Sequence, residues 1–180
     1  KIHDFDLIIF DRYRRRGILP SAYLDNIRSY VEQGGAVLIS SGPEYGSADS
    51  IYRSPLGQIL PGAPTARVFE EGFVPQITDI GQRHPVTEGL DALSSNADGD
   101  GPGWGRWFRL VDVEATRGQV VMEGAGGRPL LVLDRVGEGR VAHVDWHHNQ
   151  RRRCSRACHP KCRYRNRCRR GLDRRNPSPT

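Results

Sequence analysis

Cysteine is missing from the first 153 residues of this 180-residue chain; Cys154, Cys158, Cys162 and Cys168 all fall in the last stretch. The body therefore holds no disulfide, and it offers no thiol for nucleophilic chemistry. Long apolar runs are also lacking: no stretch approaches the roughly 20 residues that a membrane-crossing helix needs. Methionine occurs once, aromatic residues make up 8%, and the apolar share is only 37%. The chain opens Lys1-Ile2-His3-Asp4 without an initiator methionine, so it reads as a fragment or a processed product with no signal peptide.

Low mean hydropathy hides two different polymers. Residues 151–180 contain twelve Lys/Arg and one acid, Asp173, leaving fifteen basic and twenty acidic residues in 1–150. The body is mildly acidic and the tail strongly basic, so the overall pI near 9.5 describes the tail. The change of composition divides the chain into a domain over 1–148, expected to be incomplete at both ends, and an Arg/Cys-rich tail over 149–180.

Phe5-Asp6-Leu7-Ile8-Ile9-Phe10 is a short apolar run that predicts a strand buried on both faces. Pro20-Ser21 marks a helix start with Ser21 as N-cap; Leu24, Ile27, Tyr30 and Val31 give one apolar face, and Gly34-Gly35 the stop. Ala36 to Ser40 is a second apolar strand. Strand, amphipathic helix and strand form a βαβ unit with a parallel crossover. Further on, Ser54–Leu60 predicts a helical turn, 66–80 one or two extended pieces, and His84–Leu90 a turn into a short helix. Strands are expected at Trp107–Val113 and Gln119–Glu123. Pro129–Asp134 and Arg140–Val144, joined through Gly137-Glu138-Gly139, predict a C-terminal β-hairpin.

Several phrases in this order carry a resemblance. They are Asp6-Leu-Ile-Ile-Phe-Asp11, Tyr30-Val-Glu-Gln-Gly-Gly-Ala36, Arg83-His-Pro-Val-Thr-Glu-Gly-Leu90, Trp104-Gly-Arg-Trp-Phe108, and Arg128 through Val141 with its Val-Gly-Glu-Gly-Arg-Val close. Over 1–145 the chain resembles the class I glutamine amidotransferase-like superfamily, and more narrowly the amidotransferase-like domain of uncharacterised proteobacterial membrane proteins. The resemblance implies a three-layer α/β sandwich with a mostly parallel sheet, related to the flavodoxin-like fold. It also implies a parent protein at the bacterial inner membrane, tethered by segments outside this chain. Catalytic members carry a cysteine on a sharp turn after a central strand, served by a downstream histidine and acid. The matching bend here is Ser40-Ser41-Gly42-Pro43-Glu44, with no cysteine, and it is not the Gly-x-Ser-x-Gly elbow of serine enzymes. Pro43 also removes a backbone N–H that an oxyanion hole would use.

The expected function is a non-catalytic amidotransferase-like module binding a small ligand or a protein neighbour, with no cofactor. Ligand contacts are expected from Arg12, Ser41, Gly42 and Glu44, beyond the carboxyl ends of the strands. Glu44 can act as a general base; its plainer reading is an exposed turn glutamate. Arg12, Arg14, Arg15 and Arg16 can hold a phosphate or carboxylate, or form a solvated charge run. A rival reading is a hydrolase or transferase that uses Glu44, or Asp145 with His147, in place of the thiol; His147 and His148 are adjacent and point opposite ways in a strand. His84 before Pro85 reads as a turn histidine, and Trp104 and Trp107 as caps on the core edge. Asp98-Gly99-Asp100-Gly101 lacks the ligand spacing of a calcium loop.

The tail admits three readings. Cys154, Cys158, Cys162 and Cys168 with His159 can ligate zinc, though C-x3-C-x3-C-x5-C lacks paired knuckles and Pro160 interrupts a helix. Its eleven arginines can bind nucleic acid as a disordered basic arm. The abrupt change of composition also matches a frameshift in GC-rich coding DNA, the reading preferred here.

Overall fold

The computed structural model describes residues 1–93 and 104–145. Ten elements follow in order: β1 (Leu7–Asp11), α1 (Ser21–Glu32), β2 (Ala36–Ser41), β3 (Gly62–Phe69), β4 (Gln76–Ile77), α2 (Leu90–Leu93), β5 (Leu110–Ala115), β6 (Gln119–Glu123), β7 (Pro129–Val136) and β8 (Gly139–Asp145). Short 3-10 turns fill the links, among them Pro43–Gly46, Ile51–Arg53 and Pro55–Gln58. These residues belong to one unit, Lys1–Gln150.

The main sheet runs β1-β2-β8-β7-β6-β4, and β3 pairs with β5 in a second, two-stranded sheet. The βαβ unit forms as read: β1 lies parallel to β2 with Leu7 opposite Ala36. β8 joins β2 in parallel, Val37 opposite Val141 and Ser41 opposite Asp145. From β8 onward every pair is antiparallel. The sheet is therefore mixed rather than mostly parallel. The reason is connection length: β6 to β7 and β7 to β8 are linked by a few residues, which reverse the chain but cannot cross it over.

Other expectations need correcting. β1 is an edge strand, with Leu7 47% and Ile9 56% exposed on one face while Phe10 is buried on the other. Ser21 is the first helical residue, preceded by Pro20, and makes no side-chain cap. The strand expected at Trp107–Val113 begins at Leu110; Trp107 instead makes a lone bridge with Phe73.

One face of the sheet is covered. Leu24, Ile27, Tyr30 and Val31 of α1 pack with Phe10, Val37, Ile39 and Val141 below them, and Val111 and Val113 of β5 join the same core. The opposite face is read from the register. Its middle row is Ile9, Leu38, Ala142 and Leu133, apolar throughout. At the β7–β6–β4 end of this face Leu131, Met122 and Ile77 pack on a second cluster around Phe73 and Leu130, while Ile9, Leu38, Ala142 and Leu133 join neither core cluster of the described residues. With α1 the one helix longer than a single turn among the described residues, the second outer layer of a sandwich is not seen there.

Candidate functional site

Strand alternation places Val37, Ile39 and Ser41 of β2 beside Val141, His143 and Asp145 of β8, all on the covered face. Polar residues thus replace apolar ones only at the carboxyl ends of the strands. His143 Nε2 lies 3.0 Å from Ser41 Oγ. The Asp145 carboxylate accepts a hydrogen bond from the Val111 amide. Ser41, His143 and Asp145 are at most 2% exposed.

Burial sets the charges. It holds His143 down to about 4 and pushes Asp145 up to about 7, the latter against the opposing pull of the Val111 amide, the Ser41 hydroxyl and Arg109. The His143 ring packs against Tyr45 at 4.6 Å between centroids, and the Tyr45 hydroxyl donates to the Gly62 carbonyl at 2.7 Å. His143 Nδ1 faces Gly62, where any Cβ would collide with the ring. Three residue types of a hydrolytic triad are present, yet out of order. A working triad needs an acid on the far nitrogen of the histidine; here that nitrogen meets glycine and has no hydrogen-bond partner among the described residues. The buried serine also lacks the exposure of a nucleophile.

Above this cluster is a narrow cleft, too tight in this structure to hold a water molecule, lined by residues that include Phe10, Arg12, Tyr13, Ser41, Gly42 and Glu44. The bend after β2 continues into the 3-10 turn Pro43–Gly46, closed by the Tyr45 amide donating to the Gly42 carbonyl. This turn folds Glu44 inward. Glu44 is 8% exposed, not an exposed turn residue, and its Oε1 has no partner among the described residues. A Cβ at position 42 would lie 2.7 Å from that oxygen and 3.1 Å from Cγ of Arg12.

Arg12 has a positive φ of 46°, a region costly for a residue with a Cβ. Its amide donates to the Ser40 carbonyl at 2.8 Å, and its guanidinium pairs with Asp11 at 3.2 Å. Arg14 and Arg15 fasten the loop to a neighbouring segment. Arg14 bridges Ser50, the Arg15 amide donates to the Asp49 carbonyl, and the Arg15 side chain donates to the Arg53 carbonyl.

The structure thus brings Arg12, Ser41, Gly42 and Glu44 to one cleft and sets Asp145 in register beside Ser41. His147, His148, the calcium-like stretch 98–101 and the four cysteines with His159 lie outside the described residues. His84 Nδ1 accepts from the Val86 amide at 3.2 Å within its own turn. Trp104 donates to the Pro75 carbonyl, and both Trp104 and Trp107 pack on the second core cluster. His143 was missed. Its signal was available: in Val141-x-His143-x-Asp145 the buried parity of a strand turns polar twice in succession.

These features define a mixed-sheet α/β domain with a buried polar cluster at the carboxyl ends of its parallel strands. Among solved structures, the chain shares its fold with the cytoplasmic protein STM3548 from Salmonella typhimurium (TM-score 0.63, 18% identity, 79% of this chain and 61% of that one). It is likewise similar to the cytoplasmic protein STM1381 from Salmonella typhimurium LT2 (TM-score 0.59, 22% identity, 79% and 60%). The chain spans about 60% of the length of each. No protein-family model and no curated protein sequence matches it. Among the described residues no helix is long and apolar enough to cross a membrane.

Proposed function

We propose that this chain is a ligand-binding module of the amidotransferase-like type that performs no thiol chemistry, with the cleft beyond β1 and β2 as its site. The observation that carries this reading is the state of the bend. Ser41 stands in the place of the nucleophile but is buried against His143, whose second nitrogen faces Gly62 instead of an acid. A histidine held near 4 is a weak base at neutral pH. Meanwhile Glu44 and Arg12 occupy conformations that a plain turn does not require. Buried unpaired acceptors and a strained backbone are the features a binding site maintains. The place of the module within a bacterial membrane-associated protein rests on the sequence phrases alone.

The test uses a variant that fills the cleft. Gly42 has extended backbone (φ −134°), so Gly42→Val is compatible with the chain path. We expect amide chemical shifts around Arg12, Ser41 and Glu44 to respond to a screen of small metabolites in the native protein and not in Gly42→Val. Wild-type glutaminase and esterase activity should be indistinguishable from buffer. Turnover abolished by Glu44→Gln would overturn the reading in favour of an enzyme.

A further inference from the structure

We propose that the outer edge of β1 is a docking surface for a second copy of this chain, whose own β1 adds to it antiparallel about a two-fold axis at Ile9. The inference is independent of the ligand-binding reading above.

The backbone shows which side is open. β1 is an end strand of the main sheet, with β2 its one neighbour. The Arg12 amide donates to the Ser40 carbonyl of β2, and alternation along the strand turns the amides and carbonyls of Phe10 and Ile8 the same way. Those of Leu7, Ile9 and Asp11 face away from β2, and no further strand meets them among the described residues. An edge of this kind accepts another strand unless something blocks it, and the usual blocks are proline, lysine or a bulge. None is present: Leu7 to Phe10 is apolar throughout, and the register with β2 runs without a shift.

What selects a second copy is the symmetry of the charges. β1 has five residues centred on Ile9, with Asp6 immediately before it and Arg12 immediately after. Antiparallel pairing of two such strands over their whole length sets Ile9 opposite Ile9, Ile8 opposite Phe10, and Asp6 opposite Arg12 at both ends. Residues whose N–H and C=O face outward exchange hydrogen bonds in such a ladder, so Ile9 on the axis has the required parity. Asp6 and Arg12 fall at the alternate positions, where opposing side chains come closest. Both are exposed; Asp6 makes no ion pair among the described residues, and Arg12 pairs there with its chain neighbour Asp11. A shift of two residues one way sets Asp6 against Phe10. The other way sets it against Arg14, whose backbone is already bridged to Ser50. The two-fold pair uses both β1 edges, so growth through this strand stops at two chains.

Sedimentation velocity on the 180-residue chain and three variants tests this. The native chain should form dimers as its concentration rises. Asp6→Arg alone and Arg12→Asp alone should each weaken the dimer by about tenfold or more, because two attractions become two repulsions. An equimolar mixture of the two should regain native affinity, since each supplies the charge the other lacks. Ile9→Pro deletes an outward N–H and should abolish dimers while leaving an apolar residue on the sheet face. Hydrogen exchange on the native chain decides the matter if a variant misfolds: the amides of Leu7, Ile9 and Asp11 should gain protection as concentration rises. Unprotected amides, or a mixture of folded variants no tighter than its components, would overturn the edge pairing. So would Ile9→Pro dimers as strong as native ones, which would point to stacking of the apolar faces. A native chain still monomeric at about 1 mM would overturn it as well.

Discussion

His143 and Asp145 sit two residues apart on one strand and are perturbed in opposite senses. Folding raises Asp145 from about 4 to about 7, so between those values the native state keeps a proton that the unfolded chain has lost. Its contribution to stability therefore falls as pH rises through that window. Folding lowers His143 from about 6.5 to about 4, so its contribution falls as pH drops through nearly the same window. The two slopes offset one another. Relative to the native protein, His143→Gln should lose stability as pH rises from about 4 to 6.5, and Asp145→Asn should lose it as pH falls, each by up to ~1.4 kcal/mol per pH unit. Urea denaturation across that range measures both; relative slopes of the same sign would refute the assignment. Only part of this cluster can be read from the chain. Arg12, Ser41, Gly42 and Glu44 are locatable because ligands gather beyond strand ends. The partner of Ser41 is 102 residues away, and only the pairing of β2 with β8 reveals it. The inward turn of Glu44 likewise depends on how Pro43–Gly46 packs, which composition does not record.

Two glycine-rich signals that look like separate punctuation meet in space. The turn between β7 and β8 docks on the end of α1, where the Glu138 amide donates to the Glu32 carbonyl and the Arg140 amide to the Gly35 carbonyl, each at 3.1 Å. Gly137 takes a φ of 58°, and a Cβ there would strike the Glu32 carbonyl; one at Gly139 would strike the carbonyls of Val31 and Gly35. Gly139→Ala is expected to cost about 3 kcal/mol, since backbone on both sides must yield. Leu24→Ala, in the fully buried centre of α1, should cost about 2–5 kcal/mol. Equilibrium denaturation tests both, and a loss under ~1 kcal/mol at Gly139 would mean the docking is loose. Local signals sufficed for the βαβ unit and the hairpin because each closes within a few dozen residues. The sheet as a whole was misjudged as mostly parallel because the direction of β6 and β7 is decided by turns, while hydropathy along a strand says nothing of its neighbour. β1 was misjudged for a related reason: an apolar run looks the same at an edge as at the centre.

At the scale of the molecule, the two faces of the sheet are unequal. On the face that no helix among the described residues covers, the row Ile9, Leu38, Ala142, Leu133 is flanked by Arg140 and Arg135 at one end and Asp11 at the other. Apolar area of this kind on a sheet promotes association. The 180-residue chain is expected to sediment heavier than a monomer as its concentration is raised. Ile9→Lys should reduce this while changing stability by no more than ~0.5 kcal/mol, because the site is already exposed. Identical sedimentation of the two proteins would show that the face is harmless.

β8 is the seam between the parallel and antiparallel halves, and it is the last described strand to leave the ribosome. Until residues 139–145 emerge, β2 lacks its inner neighbour and β7 lacks its turn-mate, so the two halves cannot join into one sheet. Early portions of the chain must wait for a segment about a hundred residues later, an arrangement that slows folding and lengthens exposure to proteases. A nascent chain halted before Gly139 should be digested like an unfolded peptide, with protection arriving in a single step once Asp145 has cleared the exit tunnel.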